Sequence, residues 1–362
     1  MRIAFLGNGL TGYLAAQYRE LARLGHELLV VQPGSPEVAV GAMRDTAFDE
    51  LGVASFAELL EWTSEPSAAD LVDRVRRFDP DAVVMSSWNF ADSYRAVMKS
   101  LPPGVVRVLV MDNLWRAAPR QWLGRATSRW YVHSVADVAM VPSERSETYA
   151  RMLGFGPADV IRGSLSADLS LFGGGDERSG DELAARRSFL FVGRLVDHKG
   201  ADVLAAAYRR YRELVDDDPW TLEVVGLGPL DHLLRDQPGV TMHGFVQPAG
   251  VAELMRTVSC SVVPSHVEPY GVVVHEATAS GLPVLCTDFA GVAAGLVQDH
   301  ANGWVVPAGD VEEWAAAMAR VSGCSPETLA DMSRVSRALS TRLSPQIWAR
   351  NVAEQIARRR GA

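Results

Sequence analysis

The sequence lacks a cysteine framework, an excess of positive charge and any apolar run long enough to span a membrane, and each absence removes a class of protein. Its three cysteines, Cys260, Cys286 and Cys324, are widely spaced, odd in number and without metal-ligand spacing, which argues against a disulfide scaffold and fits a reducing cytoplasm. With 35 basic against 44 acidic residues the formal charge is −9. Affinity for a phosphate backbone comes from clustered Lys and Arg, so no general nucleic-acid partner is expected and any basic site must be local. Met1-Arg2 leads straight into an apolar run at residues 3–6, too short for the core of a signal peptide or for a membrane span. The protein is therefore expected to be cytoplasmic and to meet a membrane only peripherally, if at all.

What is present is an ordinary globular composition, 48% apolar and 22% charged, on a chain of 362 residues, enough for two α/β domains and the cleft that two domains imply. Short β-type runs alternate with helical patterns from the start: residues 3–6, an amphipathic 13–24, then 28–31. Further strands are expected at 82–85, 105–111 and 138–141, and Ser143 stands as a helix N-cap before Glu144 and Glu147. From 164 to 188 the chain turns rich in Gly, Ser and Asp, including Gly173-Gly174-Gly175, and reads as an interdomain connection. The alternation then resumes, with strands expected at 189–192, 222–225, 240–242, 260–263, 284–286 and 305–306. Residues 345–359 read as an amphipathic terminal helix with Ile347, Val352 and Ile356 as its apolar positions. The domains are placed at 1–170, with 345–362 returning to it, and at 171–362.

Gly7-Asn8-Gly9-Leu10-Thr11-Gly12 follows a strand and opens a helix, which satisfies the dinucleotide-binding pattern G-x-G-x-x-G. An NAD site would also need an acid at the end of the second strand to hold the ribose, and that strand ends in Gln32-Pro33. A tight structural turn, or a loop in which Gly9 and Leu10 approach a donor phosphate, is equally consistent with the glycines.

The second half carries the chemistry. Gly193-Arg194 ends a strand and Lys199-Gly200 precedes a helix, so two cations occupy a loop at the C-terminal strand edge, where α/β proteins bind ligands. In the segment 264–277, Pro269 suits a helix start, so a helix is expected to begin near Tyr270, with Glu268 just outside it and Glu276 inside. The amides of Tyr270, Gly271, Val272 and Val273 then form an anion site reinforced by the helix dipole. A carboxylate on either side of a diphosphate needs cations between, which Arg194 and Lys199 supply. Glu276 falls roughly 7 Å along the axis from Gly271, about where ribose hydroxyls would lie.

These residues resemble the retaining, family 4 glycosyltransferases of the GT-B fold. The resemblance runs through Val192-Gly193-Arg194-Leu195 with Lys199-Gly200, Val225-Gly226-Leu227-Gly228-Pro229, His243-Gly244-Phe245-Val246, the Glu268/Glu276 segment and Gly281-Leu282-Pro283-Val284. It implies two doubly wound Rossmann-like domains facing a central cleft. It also implies that Arg194 and Lys199 bind the donor diphosphate, Glu276 the ribose and Glu268 the transferred sugar, while Gly226, Gly244 and Val246 border the donor. The implied reaction moves a sugar, with retention and without a metal or other cofactor, from a nucleoside diphosphate sugar, with UDP the first choice, to a small-molecule, lipid or glycan hydroxyl. Front-face attack is the implied route and Glu268 as nucleophile its rival. In the first half Asp112 and Asn113 stand where the family often has a sugar-contacting His, and Ala293-Ala294 replaces a common Pro-Glu pair. The alternatives are a non-catalytic nucleotide-sugar binding protein and an NAD-dependent dehydrogenase.

Three further features are open to plainer readings. Asp216-Asp217-Asp218 has D-x-D spacing but reads as a solvated helix end. His275 neighbours Glu276 yet points about 100° away from it on a helix, so packing is its expected role. Trp115, Arg116, Arg120, Trp122, Arg125, Arg129 and Trp130 form a basic aromatic stretch that either meets anionic lipid or an acidic acceptor, or only covers apolar surface.

Overall fold

The computed structural model describes residues 1–34, 51–86, 91–174 and 178–361, and Gly175 of the glycine run lies outside them. Two compact units result, one formed by Met1–Ser166 with Pro345–Ala362 and the other by Ala167–Ser344.

In the first unit seven parallel strands take the order β3-β2-β1-β4-β5-β6-β7. They are β1 (Arg2–Leu6), β2 (Glu27–Pro33), β3 (Glu58–Trp62), β4 (Ala82–Met85), β5 (Val106–Val110), β6 (Val138–Val141) and β7 (Val160–Arg162). The connecting helices are α1 (Gly12–Arg23), α2 (Ala68–Phe78), α3 (Asp92–Ser100), α4 (Pro119–Tyr131) and α5 (Glu144–Met152). Because side chains alternate across a strand, β1 feeds two cores: Ala4 and Leu6 pack with Val83, Met85 and Leu109 on one face, Ile3 and Phe5 with Tyr18, Val84 and Val108 on the other. Thr11 caps α1 through the amide of Leu14, and Ser143 caps α5 through that of Ser146, as the N-cap reading requires. The two edge strands, β3 and β7, escape the sequence reading. Glu58 and Glu61 break the apolar pattern of β3, which needs only one neighbour, β2, to exist. β7 is three residues long.

The second unit begins with the short helices α6 (Leu169–Phe172) and α7 (Gly180–Arg186), so the stretch read as a connection carries structure of its own. Six parallel strands follow in the order β10-β9-β8-β11-β12-β13. They are β8 (Ser188–Val192), β9 (Thr221–Val225), β10 (Val240–Gly244), β11 (Cys260–Val263), β12 (Val284–Thr287) and β13 (Gly303–Val306), all six at the expected places. Their helices are α8 (Ala201–Leu214), α9 (Pro248–Met255), α10 (Val272–Ala279), α11 (Ala293–Leu296), α12 (Val311–Ser322) and α13 (Pro326–Ser340). Asp216, Asp217 and Asp218 follow α8, all exposed, with Asp218 held 3.1 Å from Arg187.

The terminal helix α14 (Pro345–Arg360) packs in the first unit with α1. Its buried stripe is Trp348, Ala349, Val352, Ala353 and Ile356, spaced three and four residues apart, which corrects one expectation: Ile347 lies one position out of phase and is 48% exposed. Burying Trp348, Val352 and Ile356 contributes on the order of 2 kcal/mol each. Arg360 reaches Asp81 at 2.7 Å and Asn351 donates to the carbonyl of Arg162 at 3.0 Å, fastening the helix at its C-terminal end and its middle.

Candidate functional site

In the second unit the strand order reverses between β8 and β11, and at such a switch point the loops leaving the C-terminal strand ends part to form a crevice. The loop after β8 carries Gly193, Arg194 and Lys199. The loop after β11 carries Ser265, Glu268 and Tyr270. Across the switch point Lys199 Nζ donates to Glu268 Oε2 at 2.6 Å, and Ser265 Oγ donates to the same oxygen at 3.3 Å. Glu268 is only 7% exposed, so its charge depends on those partners. The amide of Val267 donates to the carbonyl of His198 at 3.2 Å, a second stitch between the same loops. Arg194 Nη2 lies 3.5 Å from His198 Nε2, and burial together with Lys199 and Arg194 holds that imidazole below its usual pKa.

Glycines make this closeness feasible. Gly226 follows β9 at φ 139°, donates its amide to the carbonyl of Gly244 at 2.7 Å, and has no room for a Cβ because the Gly193 carbonyl occupies that space. The turns after β8, β9 and β10 are thus packed backbone to backbone, with Val246 two residues beyond Gly244.

The helix expected to start near Tyr270 starts at Val272, because Gly271 takes φ 95° and serves as its N-cap. The amide of Val274 turns back to the Gly271 carbonyl at 3.0 Å, while Gly271, Val272 and Val273 precede any intrahelical acceptor. Three amides, not the four of the sequence reading, therefore stand ahead of the intrahelical bonds, and Tyr270 contributes a ring 3% exposed instead of a helical amide. The Tyr270 carbonyl accepts from Val292 and the Glu268 carbonyl from Gly291, which ties this loop to the one after β12.

Glu276 lies on α10, partly buried, and makes no side-chain hydrogen bond or ion pair among the described residues. Desolvation, with the Asp168 carboxylate adding to it, raises its pKa from the usual 4.5 to about 7. Its neighbour His275 is fully enclosed: Nδ1 accepts from the amide of Ala167 and Nε2 faces the Ser340 carbonyl, both at 3.0 Å, so the ring is neutral with its proton on Nε2. Burial lowers its pKa to about 4. The packing role expected for His275 is what its partners give it.

The structure brings Gly193, Arg194, Lys199, Glu268, Tyr270, Gly271, Val272, Val273 and Glu276 to the loops of one strand edge, with Gly226 and Val246 on the adjoining turns. Gly9, Leu10, Asp112 and Asn113 belong to the first unit. Gly9 and Leu10 form the β1–α1 turn, and Asp112 and Asn113 are exposed beyond β5, where Ser146 Oγ donates to the Asp112 carbonyl at 3.2 Å. The end of β2 offers no ribose-binding acid: Gln32 is 4% exposed and donates to Glu61 at 2.9 Å. Sequence reasoning gave no role to Ser265, His198 or Asp168. Only Ser265, three residues before Glu268, had a local signal. Asp197, Asp202 and His266 bring ligand atoms within 4.8 Å of one another, but the 3.3 Å contact of His266 with Asp202 explains their closeness as an ion-pair geometry.

Residues 186–323 match the model of the family described as glycosyl transferases group 1. A D-inositol 3-phosphate glycosyltransferase of Saccharomonospora viridis is 29% identical over 294 residues, 65% of this chain and 66% of that one. A second of that name, from Catenulispora acidiphila, is 33% identical over 218 residues, 54% of this chain and 49% of its own, so the chain spans between half and two thirds of these relatives. The Anabaena protein HepE, solved with UDP-glucose, superposes with a TM-score of 0.72 at 19% identity, covering 99% of each chain. The fold is therefore GT-B, two parallel-sheet Rossmann-like units, and the match to the group 1 glycosyltransferase model falls within the second unit. No helix among the described residues is long and apolar enough to cross a membrane.

Proposed function

We propose that the protein is a retaining, metal-independent glycosyltransferase of family 4 type that transfers a sugar from a nucleoside diphosphate sugar, UDP first among the bases, to an acceptor hydroxyl. The observation that carries this is the Lys199–Glu268 pair at 2.6 Å, spanning the switch point immediately before the N-terminus of α10. Arg194, Lys199 and the amides of Gly271, Val272 and Val273 are assigned to the diphosphate, and Glu276 to the ribose. An unpaired carboxylate with a pKa near neutrality gains from hydroxyl donors that would replace the water it has lost. Glu268, oriented by Lys199 and Ser265, is assigned to the transferred sugar.

In the reaction the bond from the anomeric carbon to the phosphate oxygen breaks and the diphosphate keeps the electron pair. The acceptor oxygen bonds to the same carbon from the same face, and its proton passes to the departing phosphate oxygen. Fixed cations and amides meeting the charge on the leaving group supply the main catalytic term. Envelope lipids, glycans and small natural products all present the hydroxyl this requires.

Thermal shift with UDP, GDP, TDP and NAD tests the donor class, since a ligand at 100 times its Kd stabilises the native state by about 2.7 kcal/mol. A shift with a nucleoside diphosphate that Arg194→Ala abolishes is expected, and a shift with NAD alone would overturn the reading. The sequence contains only two lysines, Lys99 and Lys199, so mass spectrometry after amine-selective labelling reads donor protection of Lys199 directly. Donor binding with no nucleotide release across a broad acceptor panel would leave a binding protein in place of an enzyme.

A further inference from the structure

Helix α4 is built inside out. Gln121 and Ser128, at 7% and 8% exposure, form its buried side. At about 100° per residue, Trp122, Leu123, Ala126 and Trp130 fall within an arc of roughly 100° on the opposite side. Trp122, Leu123 and Trp130 are 48%, 66% and 74% exposed, and Tyr131, roughly 80° beyond the arc, is 43% exposed. The buried polar groups are satisfied: Gln121 Nε2 donates to the Leu114 carbonyl at 2.7 Å, its Oε1 accepts from the amides of Arg116 and Ala118, and Ser128 Oγ donates to the Arg125 carbonyl. The helix is thus pinned by hydrogen bonds with its apolar stripe held outward. Single exposed apolar residues are common, but of ten large ones well exposed among the described residues four stand on this one helix.

The flanks of the stripe are cationic. Arg120, Arg125 and Arg129 border it, no acid occurs in the helix, Arg125 lies 5.4 Å over the Trp122 ring and Arg95 4.0 Å over that of Tyr131. The geometry points to α4 as a docking face for a bilayer surface rich in anionic phospholipid. Trp, Leu and Tyr would enter the headgroup boundary while the arginines beside them meet lipid phosphate. A second copy of the chain fits less well, because a two-fold contact through this face would set arginine against arginine. The chain as a whole carries −9, so an anionic surface repels most of it and selects this face.

Co-sedimentation of the full chain with phosphatidylcholine vesicles, with and without about one third phosphatidylglycerol, tests this. Binding to the anionic vesicles is expected, at least about 10-fold tighter than to neutral ones and weakened by salt. Trp122→Ser with Leu123→Ser and Trp130→Ser, or Arg120→Gln with Arg125→Gln and Arg129→Gln, should each lower it by at least about 10-fold with the melting temperature unchanged. Quenching of the wild-type tryptophan fluorescence by brominated lipid gives a readout independent of any variant. Failure of the wild type to bind anionic vesicles, or equal binding by either triple variant, would overturn the assignment. So would a solution dimer that the variants abolish in a chain showing no vesicle binding.

Discussion

Each unit has a glycine turn at the C-terminal end of an early strand, Gly7 after β1 in the first and Gly226 after β9 in the second, yet they use glycine for different ends. In the first unit a Cβ on Gly7 would find its nearest neighbour, the Val31 carbonyl oxygen, at 3.6 Å, an ordinary contact. In the second, a Cβ on Gly226 would collide with the Gly193 backbone. The turn with the recognisable G-x-G-x-x-G string is the roomier of the two at that position, and the less conspicuous one is sterically obligatory. Charge divides them in the same way. The second unit sets Lys199, Glu268 and Glu276 around its switch point, whereas the acid beside the end of β2 in the first unit, Glu61, is already engaged by Gln32. A motif string reports what a backbone needs; the ligand is decided by the side chains brought to the same edge.

The largest effect that would sharpen this contrast is catalytic. Arg194→Ala should lower kcat/KM for donor turnover by roughly 100- to 1000-fold with little change in melting temperature, as expected for removing a group that meets transition-state charge. Gly226→Ala should destabilise by more than about 3 kcal/mol in denaturant titration, since either the chain at φ 139° or the Gly193 carbonyl must move, while Gly7→Ala should cost about 1 kcal/mol or less. Equal tolerance at the two positions would erase the distinction. His275→Ala, which leaves the Ala167 amide and the Ser340 carbonyl without their buried partner, should cost roughly 2–4 kcal/mol.

The smallest effect is in pH. The Glu276 carboxyl is raised to about 7, so its contribution to stability is complete below 4.5 and is lost as pH rises through 7. Neutral His275, lowered to about 4, contributes above its usual 6.5 and that part is lost as pH falls towards 4. Without donor, Glu276→Gln should therefore abolish a decline of roughly 1–3 kcal/mol between about pH 5 and 8 and leave the acid limb intact. An unchanged alkaline limb would show that Glu276 finds a partner in solution.

Much of this was legible in the residues. Every central strand announced itself as a short apolar run, because strands covered on both faces read as continuous apolar segments. The edge strands of the first sheet did not: β3 carries Glu58 and Glu61 on a strand with one paired side, and β7 is too short to show a period. The place of Glu276 inside a helix, with Glu268 in the loop before it, was readable because Pro269 marks the boundary between them. Gly271 as N-cap was not, since Pro269 marked the helix start equally well two residues earlier.

By itself the sequence determined the two runs of βα alternation, the strands at the centre of both sheets and the set of charged residues beside their C-terminal ends, since these follow from local periodicity and spacing. Only the tertiary structure decided that Lys199 pairs with Glu268, that Glu276 stands unpaired beside Asp168, and that α4 turns its tryptophans outward. Those depend on which loops meet across 69 and 108 residues of chain and on which face of a helix is covered, and no local pattern encodes either.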